Sequence, residues 1–155
     1  MNSSYIFDTN IFNRILDGEI NVGLIKARAE LCATHIELNE LQNTRDSERR
    51  QQLLEIFQAC GPEQIPTESA VWDVSEWGSA KFTSKDNLYQ PIVEALNEKN
   101  GGKDNNTHDA LIAETAIRNA LTLVTEDQDL AQVAAEHGGS VINLATFMQV
   151  IEPTG

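Results

Sequence analysis

Cysteine, basic residues and long apolar runs are all scarce in this sequence, and each scarcity removes a class of protein. The two cysteines, Cys32 and Cys60, show no paired spacing, so the chain reads as a reduced, cytoplasmic protein. Cys32, inside "ELCATHI", is most simply a small core residue. Without a paired base, neither thiol is a nucleophile candidate. No apolar run is long enough to span a bilayer. The N-terminal "MNSSYIFDTN" lacks the basic and apolar blocks of a secretion signal. Eleven Lys and Arg stand against 24 Asp and Glu, for a net charge of -13. That balance argues against non-specific nucleic-acid binding, which draws on Lys and Arg to release counterions. Its simplest use is solubility, and a polyanionic ligand would need a local basic strip. His35, His108 and His137 have no metal-ligand spacing among themselves and read as surface or capping residues. There is no internal repeat and no low-complexity tract.

What remains is an ordinary globular balance, with 41% apolar and 23% charged residues over 155 positions. This suits one domain spanning residues 1–155. "SYIF" predicts a short buried strand, and Ile11, Phe12, Ile15 and Leu16 then recur at helical spacing, with Thr9 as the expected cap. "VGLIKARAE" predicts a helix, "ELCATHI" a strand and "IELNELQNT" a helix. "DSERRQQLLEIFQACG" predicts an amphipathic helix stopped by Gly61-Pro62. "EQIPT" suggests a short strand, and an extended, mostly helical region covers about 67–103, carrying Trp72, Trp77 and Phe82. Helix, strand, helix, strand and helix follow in "HDALIAETAIRNAL", "LTLVT", "TEDQDLAQVAAEHGG", "SVINL" and "ATFMQVI". The Thr125-x-x-Gln128 pattern predicts a capping box for the second of these helices. Strands alternating with helices imply an α/β fold with a central parallel sheet between helical layers.

Ligands of an open parallel sheet bind at the carboxyl ends of its strands. Asp8 follows the first predicted strand and Asp127 and Asp129 follow "LTLVT". Glu37 and Glu40 lie just past the second strand, and Asp109 in the first turn of a helix. Helical periodicity does not choose between Glu37 and Glu40. Asp109 and Asp127 have a structural reading, as first-turn carboxylates facing a helix macrodipole. Asp8 is hardest to explain that way, because burying a lone charge at a strand end is costly. Clustered carboxylates repel unless neutralised, and hard oxygen ligands suit Mg²⁺ or Mn²⁺.

"FDTN", "ATHIELNEL", "HDALIAETA" and "LVTEDQDL", in that order, resemble the four motifs of the PIN-domain nucleases, nearest to the VapC-like toxin ribonucleases. The resemblance covers roughly residues 4–42 and 105–148. It implies a three-layer α/β/α fold and assigns the acids to Asp8, Glu40 rather than Glu37, Asp109 and Asp127. Asp129 is a neighbour able to assist, and Asn10 and Thr125 are polar supports. It implies that these acids hold Mg²⁺ or Mn²⁺, which activates water and stabilises the leaving oxygen in RNA hydrolysis, giving a 5′-phosphate product. No Ser, His or Cys nucleophile is then needed. It also implies an antitoxin partner and a homodimer. The alternative is a PIN-like module that binds RNA or protein without cleaving, although all four acids are present. A phosphatase of the haloacid-dehalogenase type would need an aspartate where Asn10 stands. Two features depart from the pattern. "VWDVSEWGSAKF" has no family role and reads as aromatic packing in a helical cap. The strong acidity leaves Arg45, Arg49 and Arg50 as the candidate basic strip.

Overall fold

A computed structural model describes residues 4–67 and 88–152. The first unit runs β1 (Ser4–Phe7), α1 (Thr9–Asp17), α2 (Val22–Arg28) and β2 (Glu30–Ala33). Then come α3 (His35–Gln42), α4 (Ser47–Cys60), β3 (Glu63–Gln64), α5 (Tyr89–Asn100) and α6 (Asn106–Arg118). β4 (Thr122–Val124), α7 (Gln128–Glu136), β5 (Ser140–Ile142) and α8 (Leu144–Ile151) complete it. The strands form one sheet in the order β3-β2-β1-β4-β5, every neighbouring pair parallel. Tyr5 stands beside Leu31 on one side and Thr122 on the other.

Alternate residues of each strand feed opposite helical layers, as the two-residue period of a strand requires. Phe7, Ala33 and Val124 join Phe12, Leu53, Phe57 and Phe147 on one face. Ile6, Cys32 and Leu123 join Ile92, Leu96, Ile112 and Val133 on the other. Both faces are dry, so β1 and β4 read as continuous apolar runs. The expected α/β/α layering is what the chain adopts. On the second face, the fully buried Glu114 carboxylate accepts from the Leu88 and Tyr89 amides and so fastens the start of α5 to α6.

Several element boundaries differ from the sequence reading, and at three of them a side-chain cap is the reason. The strand expected over "ELCATHI" stops at Ala33, because Thr34 and Glu37 form a capping box that starts α3. The capping box expected from Thr125 does not form. Asp127 is the N-cap of α7, accepting from the Asp129 and Leu130 amides. Thr9 is the first residue of α1 and not its cap, a position held by Asp8. "SVINL" ends as a strand at Ile142, since Asn143 caps α8. "EQIPT" pairs with β2 over only two residues. Gly61 terminates α4 in the left-handed conformation, φ 60°, a backbone state that favours glycine. Of the region expected to be mostly helical, α5 is helix, whereas Trp72, Trp77 and Phe82 lie outside the described residues.

Candidate active site

The strand order reverses direction between β1 and β4. From β1 the chain builds outward to β2 and β3, then returns to lay β4 and β5 on the other side. A reversal of this kind leaves a crevice at the carboxyl ends of the two strands that flank it. Asp8 follows β1 directly, and Thr125 follows β4 directly. The backbone closes the pair: the Asp8 amide donates to the Val124 carbonyl at 3.0 Å. The side chains do so too, with Thr125 Oγ1 donating to Asp8 Oδ2 at 2.8 Å. The same Thr125 oxygen accepts from the Asp127 amide at 3.0 Å.

Three other acids face this pair. α3 carries Glu40, whose Oε1 accepts from the Thr9 hydroxyl at 2.7 Å. Its Oε2 lies 3.5 Å from His108 Nδ1. α6 carries the buried Asp109, whose Oδ2 accepts from Asn105 Nδ2 at 3.3 Å. Asp127 uses Oδ1 to cap α7.

The electrostatics show that these carboxylates belong to one field. Burial pushes the Asp8 carboxyl up to about 6, with Glu40 and Asp127 adding repulsion and the Thr125 hydrogen bond opposing it. Asp109 is pushed up to about 8, first by burial and then by Asp8, Glu40 and Asp127. Among the described residues, Lys103 pulls the Asp109 carboxyl the other way. At neutral pH a metal-free Asp109 therefore keeps its proton. The His108 imidazole is raised by its contact with Glu40.

Asp8, Glu40, Asp109 and Asp127 thus come together from four segments. Asp129 does not act on Asp8 or Asp109, and what links it to the group is its amide, bound to Asp127. Glu37 has a different task. Its Oε1 accepts from the Thr34 amide at 2.9 Å and the Thr34 hydroxyl at 2.6 Å, and full burial raises its carboxyl to about 8. Asn10 is exposed, and among the described residues it makes no hydrogen bond to these acids. Thr9, Asn105 and His108 contact the acids instead, and the sequence reading did not single them out for this. Their local signal is spacing along the chain, since Thr9 follows Asp8, His108 precedes Asp109 and Asn105 stands four positions before it. Of the candidate basic strip, Arg49 is held by Asp17 and Asn13, and Arg50 donates to the Thr44 carbonyl. Arg45 is exposed.

The donor set is carboxylate oxygen throughout, the chemistry of a hard divalent cation. Among the described residues no three His, Cys, Asp or Glu side chains close into a tight cage. An open cluster of mutually repelling acids still fits a cation that keeps several of its own waters.

The sequence model of the PIN domain matches residues 5–136. The chain belongs to the PIN-domain family. Members of this family are nucleases that generally use divalent metal ions. Among solved structures, this PIN domain resembles PAE2754 from Pyrobaculum aerophilum at 16% identity and a TM-score of 0.56, over 96% of this chain and 89% of that one. It also resembles VapBC2 from Rickettsia felis, a structure bound to a DNA fragment from their promoter. There identity is 21% and the TM-score 0.52, over 90% of this chain and 98% of that one. A domain of a functionally unknown protein from Methanocaldococcus jannaschii matches at 15% identity and a TM-score of 0.52, over 99% of this chain and 94% of that one. At these identities the likeness is one of fold. No curated protein matches the chain.

Proposed function

We propose that this PIN domain is a Mg²⁺- or Mn²⁺-dependent endoribonuclease and the toxin of a toxin–antitoxin pair. One observation carries the reading. Asp8, Glu40, Asp109 and Asp127 reach the sheet's switch point from four segments, and Asp8 and Asp109 are buried among like charges. Such a cluster is costly unless a cation neutralises it. These four acids are the metal ligands of the proposal. A bound cation supplies activation of water and stabilisation of the leaving oxygen. The chain's own residues do the rest. Thr125 orients Asp8, and Thr9 and His108 hold the two oxygens of Glu40. Asn105 steadies Asp109, and the α7 amides fix Asp127. Asp129 supports Asp127 through its amide, and Asn10 is left to meet the substrate from the exposed start of α1.

The substrate of this reading is RNA in the cytoplasm. The partner is an antitoxin protein, by the motifs shared with VapC-like toxins. The working unit is a homodimer of chains that each form one domain. The test is cleavage of a generic RNA in Mn²⁺ by purified wild type and Asp8→Asn, with circular dichroism to check the fold. Asp8→Asn is expected to be folded and inactive. Undiminished cleavage by that variant, once contaminating nuclease is excluded, sinks the assignment.

A further inference from the structure

The loop between α5 and α6 is anchored more firmly than its exposure suggests. Asn106, only 2% exposed, donates from Nδ2 to Asn97 Oδ1 at 2.7 Å and to Asn100 Oδ1 at 2.9 Å. Asn100 Nδ2 returns a bond to Asn106 Oδ1 at 2.9 Å. Asn100 Oδ1 also accepts the amides of Gly102 and Lys103, each at 3.2 Å. The Asn106 amide then donates to the Lys103 carbonyl at 3.1 Å. Gly101 and Gly102, at φ 75° and 82°, permit the tight reversal that brings these groups together. Lys103 is therefore held at both its amide and its carbonyl, while its side chain is exposed.

This anchored lysine stands beside the acidic site. Asn105, two residues on, donates to Asp109 Oδ2 at 3.3 Å, and among the described residues Lys103 is the one basic group that acts on Asp8 or Asp109. Among the described residues, the arginines carried by α4 and α6 are engaged by the fold. Arg49 binds Asp17 and Asn13, Arg50 the Thr44 carbonyl, and Arg118 the buried Glu114. A chain of net charge -13 that holds a polyanion needs positive charge where the polyanion lies. An exposed ammonium on a fixed backbone suits that need, because less freedom is lost when it binds.

We propose that Lys103 is a phosphate-binding residue, taking a backbone phosphate of the RNA strand beside the acidic site. The proposal rests on the ribonuclease reading above. The contact is made in the ground state and the transition state alike, so its loss falls on KM rather than on kcat.

The experiment uses full-length protein, Mn²⁺ and a fluorescent single-stranded RNA, comparing wild type with Lys103→Gln and Lys103→Arg. KM, kcat and the salt dependence of KM are measured between about 50 and 200 mM salt. The Mn²⁺-induced shift in melting temperature is read alongside. Lys103→Gln is expected to raise KM about tenfold, the scale of one charge-assisted hydrogen bond, with kcat changed by less than about twofold. The slope of log KM against log salt should flatten by about 0.7, the loss of one phosphate contact to a single strand. Lys103→Arg should restore most of the loss, and the Mn²⁺ shift should stay the same. If KM and its salt slope are unchanged in Lys103→Gln while the Mn²⁺ shift grows, Lys103 only offsets the acids and the proposal is overturned. If wild type cleaves no RNA with Mn²⁺ bound, the ribonuclease reading falls and the phosphate contact falls with it.

Discussion

Thr125 and Asp8, separated by 117 positions, are joined by a buried 2.8 Å hydrogen bond from the threonine hydroxyl to the aspartate. It crosses the junction of β1 and β4 and opposes the burial that raises the Asp8 carboxyl. Thr125→Val removes the donor and also the acceptor for the Asp127 amide. Bonds to charged groups contribute roughly 1.5–3 kcal/mol, so activity should fall about ten- to a hundredfold. The Asp8 carboxyl should titrate higher in the variant, as read by carbon-detected NMR. Thr125→Ser should behave like wild type. Equal titration of Asp8 in the valine variant would show that the bond does not tune it.

Glu37 and Glu40 sit one helical turn apart on α3 and should respond in opposite ways. Glu37 is protonated at neutral pH, with its carboxyl at about 8 and Oε1 occupied by Thr34. Glutamine reproduces that neutral group. Glu37→Gln should therefore melt within a few degrees of wild type at pH 7 and above it at pH 9, with an unchanged Mn²⁺ shift. Glu40→Gln should lose most of the Mn²⁺ shift and the activity. Scanning calorimetry of both variants with and without metal decides this, and a lost metal response in Glu37→Gln would reverse the assignment.

The pH dependence of the metal-free protein follows from the raised carboxyls. Asp8, Glu37 and Asp109 hold their protons more tightly folded than unfolded, with values of about 6, 8 and 8. Their stabilising contribution is complete below the unfolded carboxylate range and is lost as pH rises through the folded values. His108, also raised, works in the same direction. The metal-free melting temperature should thus climb as pH is lowered from about 8.5 to 5.5. The slope is about 1.4 kcal/mol per pH unit for each proton taken up, or about 3–6 °C for a chain of this size. Saturating Mn²⁺, which competes with those protons, should flatten the curve. A metal-free midpoint that rises with pH over that window would contradict the buried, repelling cluster.

Asp127 combines a cap with a charge, and two substitutions separate them. Asparagine caps as well as aspartate does, so metal-free Asp127→Asn keeps the bonds to Asp129 and Leu130 while relieving repulsion on Asp8 and Asp109. It should melt at or above wild type and gain less from Mn²⁺. Asp127→Ala loses the cap and should melt lower, by about 0.5–2 kcal/mol in stability. An asparagine variant with the wild-type metal shift would move the fourth ligand to Asp129.

Some of this was legible in the sequence because it is written in short-range patterns. The apolar run "SYIF" ending on Asp8 and the run "LTLVT" before Asp127 specify buried strands that finish on acids. Parallel strands put those ends at one edge of a sheet. The alternation of strand and helix therefore fixes both the layering and the side on which the acids gather. The choice between Glu37 and Glu40 was not local. It turned on Thr34, whose capping box takes Glu37 into the core, and on Thr9 and His108, which come from two other segments to meet Glu40. The same holds for Thr125, whose spacing to Gln128 reads as a helix cap and which only the family resemblance makes a support for the acids. Its hydroxyl turns to Asp8 because β1 and β4 are neighbours in the sheet. A helix start competes for a side chain within a few residues, whereas a buried carboxylate competes for it across the whole fold. At Thr125 the buried charge has more to lose without its partner, and only the packed sheet brings that partner within reach.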